Sequence, residues 1–324
     1  MDKLVKLRYW WFAISLLVIV PGAISLALFG LRLGIDFSGG ALWDLQFVER
    51  APGQLDTERI RAIFAAQGFD GAQVQLSDTQ FEGRTVAGAL VRTRPLSETE
   101  PEPQRQNVLD ALRAEYGQVT QQSLQTVGAT VSAESTRSAI IAVIAACLVI
   151  LVYLTLAFRR APHPVRYGIC AILAMIHDVL VVLGVASILG YFIGLEVDAL
   201  FLTALLTVIS FSVHDTIVVF DRIRENLINR RPGELFDDIV NHSIVQTLPR
   251  SVNTQLTTFF TLMALLLFGG ETIRNLVLIL LIGLISGTYS SIFNAAQLLV
   301  VWENREWNRW FRRSAPPGPE ASTA

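Results

Sequence analysis

Long uncharged apolar runs dominate the chain. Residues 9–31, 138–158, 251–270 and 275–302 each exceed the roughly 18 residues needed to cross a bilayer as a helix. Two further runs, 167–195 and 199–220, are equally apolar apart from His177-Asp178 and His214-Asp215. The pattern predicts six membrane-spanning helices.

Between the first and second runs the pattern changes. Residues 32–134 hold 14 acidic and 9 basic side chains and too little apolar sequence to span anything, so they should fold in water. In 41–48, Leu42, Asp44 and Gln46 alternate with Trp43, Leu45 and Phe47, as in a strand with one buried face. In 56–67, Ile60, Ile63 and Phe64 share one helical face, closed by Gly68. Strands over 72–79 and 84–94 follow, then a helix over 100–116 opened by Thr99 and Glu102 as a capping box and closed by Gly117, and a last strand over 118–127. The order is βαββαβ, which predicts a ferredoxin-like α+β domain and by itself no activity. The expected organisation is 1–31 for the N-terminus and first span, 32–136 for the α+β domain, 137–302 for spans two to six, and 303–324 for a tail whose end, 316–324, reads as disordered.

Composition agrees with the spans: 52% of residues are hydrophobic and 17% charged, against about 25% charged in soluble proteins. Mean hydropathy is +0.47. A net charge of −2 gives no basic surplus for nucleic acid. Arg and Lys fix the orientation. Lys3, Lys6 and Arg8 precede span one; Arg159, Arg160 and Arg166 lie between spans two and three; Arg222, Arg224, Arg230, Arg231 and Arg250 lie around the connection from four to five; and Arg305, Arg309, Arg312 and Arg313 follow span six. The opposite short loops hold only Arg274. Both termini are therefore expected in the cytoplasm and the α+β domain outside it. The first run has 23 uncharged residues, too long for a secretory signal, and reads as an uncleaved anchor. Cys147 and Cys170 sit in apolar runs as small buried hydrophobes. The sequence shows no nucleophile–base pair, metal-ligand spacing or nucleotide loop, so neither an enzyme nor a cofactor is expected.

A carboxylate facing lipid costs about 2.5–3.5 kcal/mol, so Asp178 and Asp215 are expected to face the bundle interior. On span four, Thr203, Thr207, Ser210 and His214 form a polar stripe beside Asp215; on span five, Arg250, Thr254, Thr257 or Thr258, and Thr261 form another. Asp215 and Arg250 lie at similar depth near the same end of their spans and are expected to pair. The pair can be a static lock of helix register or a site at which a proton is taken up and released. Asp178, His177 and His214 are further candidates for such a path, and equally for satisfied interior polar groups. Gly283 and Gly287, with Ser286, Ser290 and Ser291, would let a neighbouring helix approach span six. Residues 34–40 read as a membrane-exit turn and 233–246 as an interfacial helix. Asp221, Arg222, Arg224 and Glu225 read as a solvated salt-bridge cluster.

Four stretches resemble one family: Gly34-Ile35-Asp36-Phe37-Ser38-Gly39-Gly40, Ile176-His177-Asp178-Val179, Ser212-Val213-His214-Asp215-Thr216 running into Phe220-Asp221-Arg222-Ile223-Arg224-Glu225-Asn226, and Thr247-Leu248-Pro249-Arg250-Ser251. With six spans and one domain after the first, the chain resembles the SecF family, membrane subunits of the SecD-SecF complex of the resistance-nodulation-division superfamily. His214 stands where that family commonly has asparagine, and Ala129 where it often has proline. The resemblance implies a non-enzymatic, proton-motive-force-driven role in protein export across the bacterial inner membrane. The implied partners are SecD, the SecY-SecE-SecG translocon, the translocating unfolded preprotein and membrane lipid. It also implies that the residues matching Asp215 and Arg250 take part in proton passage. The rival readings are a small-molecule exporter of the same superfamily and a scaffold that holds SecD.

Overall fold

The computed structural model describes residues 4–81, 83–97, 101–159, 161 and 163–306. The expected capping residue Thr99 and residues 307–324 of the tail lie outside them. Two units are distinguished, one built of residues 1–30, 143–189 and 200–324, the other of 31–142 and 190–199.

Six helices have the length and apolarity to span a membrane, as the hydrophobic pattern predicts. α1 (Arg8–Phe29) follows a short turn of 3-10 helix, and α5 (Ala129–Ala157), α6 (Pro164–Ile193), α7 (Ala199–Ile228) and α8 (Phe236–Phe268) follow in order. The sixth span, Ile273–Glu303, runs through α9 (Glu271–Ser290), a π-helical segment Ser291–Ala295 and α10 (Ala296–Glu303). α1, α5, α6, α8 and the sixth span start ahead of their apolar runs, and α7 extends beyond the end of its own. The expected separate helix at 233–246 is instead the first part of α8, a continuous helix of 33 residues containing Pro249. Proline removes one backbone donor, but Ser243, Ile244, Thr247 and Ser251 pack inward on both sides of it and hold the helix together.

Small residues set two close contacts within the first unit. A Cβ on Gly22 of α1 would lie 2.8 Å from the Gly184 backbone of α6, and one turn on the Ser25 and Ser187 hydroxyls meet at 2.9 Å. A Cβ on Gly283 would run into Val208 of α7, and one on Gly287 would come within 3.3 Å of Ser212. Span six therefore approaches span four through the Gly283 and Gly287 pair.

The second unit has the βαββαβ order: β1 (Gly40–Phe47), α3 (Thr57–Ala66), β2 (Gln73–Phe81), β3 (Arg84–Thr93), α4 (Pro101–Tyr116) and β4 (Val119–Val127), with the short α2 (Ile35–Ser38) ahead of β1. The strands pair antiparallel in the order β2-β3-β1-β4, the ferredoxin-like arrangement. Trp43, Leu45 and Phe47 are buried on the face covered by Ile60 and Phe64 of α3 and Val108 and Leu112 of α4. Trp43 meets Phe64 edge-on at 5.5 Å, and its indole N–H donates to Thr93 Oγ1 at 3.0 Å. Asp56 caps α3 by accepting from the Glu58 amide at 2.9 Å. Gly40, at φ +129°, lies where a Cβ would come 2.7 Å from the Thr93 carbonyl oxygen, so only glycine can start β1.

Candidate functional site

Asp178 of α6 is fully buried and accepts hydrogen bonds from three serines. Ser212 of α7 donates to Oδ2 at 2.5 Å, Ser290 of α9 to the same oxygen at 2.6 Å, and Ser286 of α9 to Oδ1 at 2.7 Å. His177 Nδ1 lies 3.0 Å from Oδ1. Three hydroxyl donors from two neighbouring helices satisfy this buried carboxyl group and tie spans three, four and six together. The polar contacts continue: Ser291 donates to the Ser212 carbonyl and Thr216 to Ser291, each at 3.0 Å.

Asp215 stands next to Thr216 on α7 and is 3% exposed. Its partner is Gln255 of α8, whose side-chain amide donates to Oδ2. The expected pair with Arg250 does not form, because Gln255 and Arg250 are five residues apart, about 140° around the helix. The face of α8 turned inward carries Ser243, Thr247, Ser251 and Gln255, a polar stripe at strict four-residue spacing. Arg250, Thr254, Thr257 and Thr261 lie on the exposed side, and the three threonine hydroxyls turn back to their own helix carbonyls. On α7 the predicted stripe is likewise turned outward: Thr203, Ser210 and His214 are exposed and Thr207 half-buried, while Ser212, Asp215 and Thr216 face the interior. Among the described residues no ion pair joins Asp215 or Arg250 to another side chain. The structure thus gathers Asp178 and His177 in one cluster and places Asp215 beside it on α7, with His214 and Arg250 on open helix faces.

Gln255 is a partner that the sequence analysis does not single out. Its signal is the four-residue register with Ser251 and Thr247. Asp221 with Arg224 and Arg222 with Glu225 form exposed pairs three residues apart on α7.

Known proteins match most of the chain. The family model described as Protein export membrane protein SecD/SecF, C-terminal, covers residues 107–305, and the SecD/SecF GG motif covers 24–48. The protein translocase subunit SecF of Thermobaculum terrenum is 51% identical over 98% of both chains, and that of Anaerolinea thermophila 47% identical over 96% of this chain and 97% of its own. The crystal structure of SecDF, a translocon-associated membrane protein from Thermus thermophilus, superposes with a TM-score of 0.78 at 34% identity, covering 93% of this chain and 38% of that longer one. The GG motif match contains Gly34, Asp36 of α2, Gly39 and, at the start of β1, Gly40. With both family models, relatives near half identity over almost the full length, and the six-span and ferredoxin-like architecture in agreement, the chain belongs to the SecF family of protein translocase subunits.

Proposed function

We propose that the chain works as the SecF half of a complex with SecD, in the bacterial inner membrane, and uses the proton-motive force to promote movement of preproteins delivered through the SecY-SecE-SecG translocon. In this reading both termini are cytoplasmic and the α+β domain meets the emerging polypeptide on the other side. Asp215 carries the reading: it is a buried intramembrane carboxylate with a neutral amide donor and no cationic partner among the described residues. Proton binding neutralises such a group and release restores its charge. Arg250, about 140° away around α8 from Gln255, compensates the anion in the second state. His214 next to Asp215 lies on the open face from which a proton reaches it.

Asp178 and His177 take a holding role in this picture, since three serine donors engage both Asp178 oxygens and join three spans. Each proton driven across the membrane supplies about 2.3 kcal/mol per 100 mV, enough to bias a two-state rearrangement of the α+β domain.

The exposed polar faces of α7 and α8 support the partnership. Thr203, Ser210, His214, Arg250, Thr254 and Thr257 stand on helices of membrane-spanning length, and the spans of SecD would cover them. SecDF relatives in which this chain matches about a third of the length carry the same implication. The test is Asp215→Asn in vesicles containing the assembled complex and an imposed pH gradient. Export stimulation by the gradient is expected to vanish while co-purification with SecD persists; undiminished stimulation would refute the reading.

A further inference from the structure

Within the second unit, the short connection between α6 and α7 is sewn to the segment that contains the GG motif. The Gly34 amide donates to the Val197 carbonyl at 2.7 Å and the Val197 amide to the Arg32 carbonyl at 2.8 Å, so Leu33 and Val197 pair as a parallel bridge. A Cβ on Gly34 would lie 2.9 Å from Asp198 Cβ, which is why this position holds glycine. Asp36 Oδ2 accepts the Ala199 amide at 2.9 Å. Ala199 is the first residue of α7, so a side chain 163 positions away supplies the cap for the helix start.

Two ionic contacts join the same connection to the sheet. Glu196 pairs with Arg92 of β3, and Arg92 Nη1 donates to the Leu33 carbonyl at 2.8 Å. Arg32 Nε lies 3.9 Å from the other Glu196 oxygen, and Arg32 Nη2 donates to Gln73 Oε1 of β2 at 3.3 Å. Leu195 and Val197 are buried, so the connection is held on both its polar and its apolar sides. α7 then runs unbroken from Ala199 to Ile228, and Asp215 stands about 24 Å along it.

We propose that Asp36, Arg92 and Glu196 form a coupling joint that fastens the first turn of α7 to strand β3, so that displacement of the helix bearing Asp215 is delivered to the sheet. The joint gives the Asp36 position of the GG motif a mechanical task, and it rests on the proton-driven reading above. A helix capped only by its own residues could slide or tilt without the sheet following. Here the cap, the bridge and the ion pair belong to the same connection and must move together.

The test uses the full complex with SecD in vesicles under an imposed pH gradient. Hydrogen exchange of the 199–203 amides, proton conductance and gradient-dependent export are followed in parallel. Asp36→Ala should speed exchange at Ala199 about fivefold to tenfold, as loss of a cap does. It should leave conductance near wild type and abolish most of the export stimulation. Asp36→Asn keeps an accepting oxygen in place and should recover both exchange protection and export. Arg92→Glu and Glu196→Arg should each lose stimulation, and the two together should regain it; this pair serves as well if Asp36→Ala does not assemble.

Full export by Asp36→Ala despite faster exchange would overturn the joint, as would unchanged exchange. Equal loss of conductance and export would do the same, because it marks a general structural defect. Normal export by Asp215→Asn would instead remove the proton-driven reading, an outcome separate from any of these.

Discussion

Ser212 and Asp178 meet at 2.5 Å across spans three and four, and Ser212 sits three residues before Asp215 on the same helix. The clasp on Asp178 therefore fixes the rotation of α7 and with it the direction of Asp215. Asp178→Ala strands three serine hydroxyls that now donate to a carboxylate, at about 1.5–3 kcal/mol for each hydrogen bond to a charged group before partial relaxation. A loss of about 3 kcal/mol or more in detergent-solubilised stability is expected, read as a lowered thermal midpoint. Asp178→Asn retains an accepting oxygen and should lose less while conducting protons normally. Abolished conductance in a stably assembled Asp178→Asn complex would move Asp178 from the holding role into the path itself.

Asp215→Asn preserves the hydrogen bond from Gln255, because an amide oxygen still accepts from the Gln255 amide. Stability should stay within about 1 kcal/mol of wild type, while gradient-dependent export disappears. Arg250→Lys should also impair export, since an ammonium lacks the planar fork that grips a carboxylate from two sides. The double change Asp215→Asn with Arg250→Gln should assemble and remain inactive. Restored export by that double variant would mark the two residues as a static charge pair.

At Gly283 the contact is with Val208 and leaves no room for a methyl group. Gly283→Ala should destabilise by about 1–3 kcal/mol through overpacking. Val208→Ala should recover part of that loss, giving a coupling energy of about 0.5 kcal/mol or more in a double-mutant cycle. Additive effects would show that α7 and α9 do not pack through this pair.

Glu306 supplies the pH dependence. Burial alone would raise its pKa, but the hydrogen bonds from Arg8 and Tyr9 and the Arg8 charge outweigh burial and bring it below the usual carboxylate range. A carboxylate with a lowered folded-state value contributes stability above its ordinary pKa of about 4.3, and that contribution is lost as pH falls through the lowered value. The difference in thermal midpoint between wild type and Glu306→Gln should be constant near neutral pH and shrink below about pH 4. A difference that grows on acidification would contradict the assigned sign.

Topology offers an independent check. A reporter joined after Gln80 should be accessible outside the cytoplasm and one joined after Arg231 inside it, because the basic residues are so unevenly distributed among the short loops. A cytoplasmic signal at Gln80 would invert the orientation.

Much of this architecture is written in local pattern. Alternation around Trp43, the helical face of Ile60 and Phe64, and uncharged runs of bilayer length each need only neighbouring residues to be read. Asp178 and Asp215 stand out for the same reason, as charges in apolar surroundings. The facing of α8 was not legible. Stripes through Arg250 and through Gln255 share one period, and in a chain with a membrane partner a polar face can point away from its own bundle. The convergence of Ser212, Ser286 and Ser290 on Asp178 lay equally out of reach, because three serines on two helices become one cluster only when the helices are placed.

The π-helical segment in the sixth span acts as a phase correction. An α-helix allots about 100° to each residue, so one residue too many would put everything after it on the wrong azimuth. Wider winding over Ser291–Ala295 absorbs the surplus. Upstream, Ser286 and Ser290 can address Asp178 while, downstream, Glu303 still turns toward Arg166. Deleting a single residue between 291 and 295 would rewind the segment as plain α-helix and leave Glu303 on its azimuth, whereas winding all five residues as α-helix would swing Glu303 by about 100°. Two contacts at opposite ends of one span are thus kept in step by one wide turn, and winding the same residues tightly would cost their synchrony before it cost the helix.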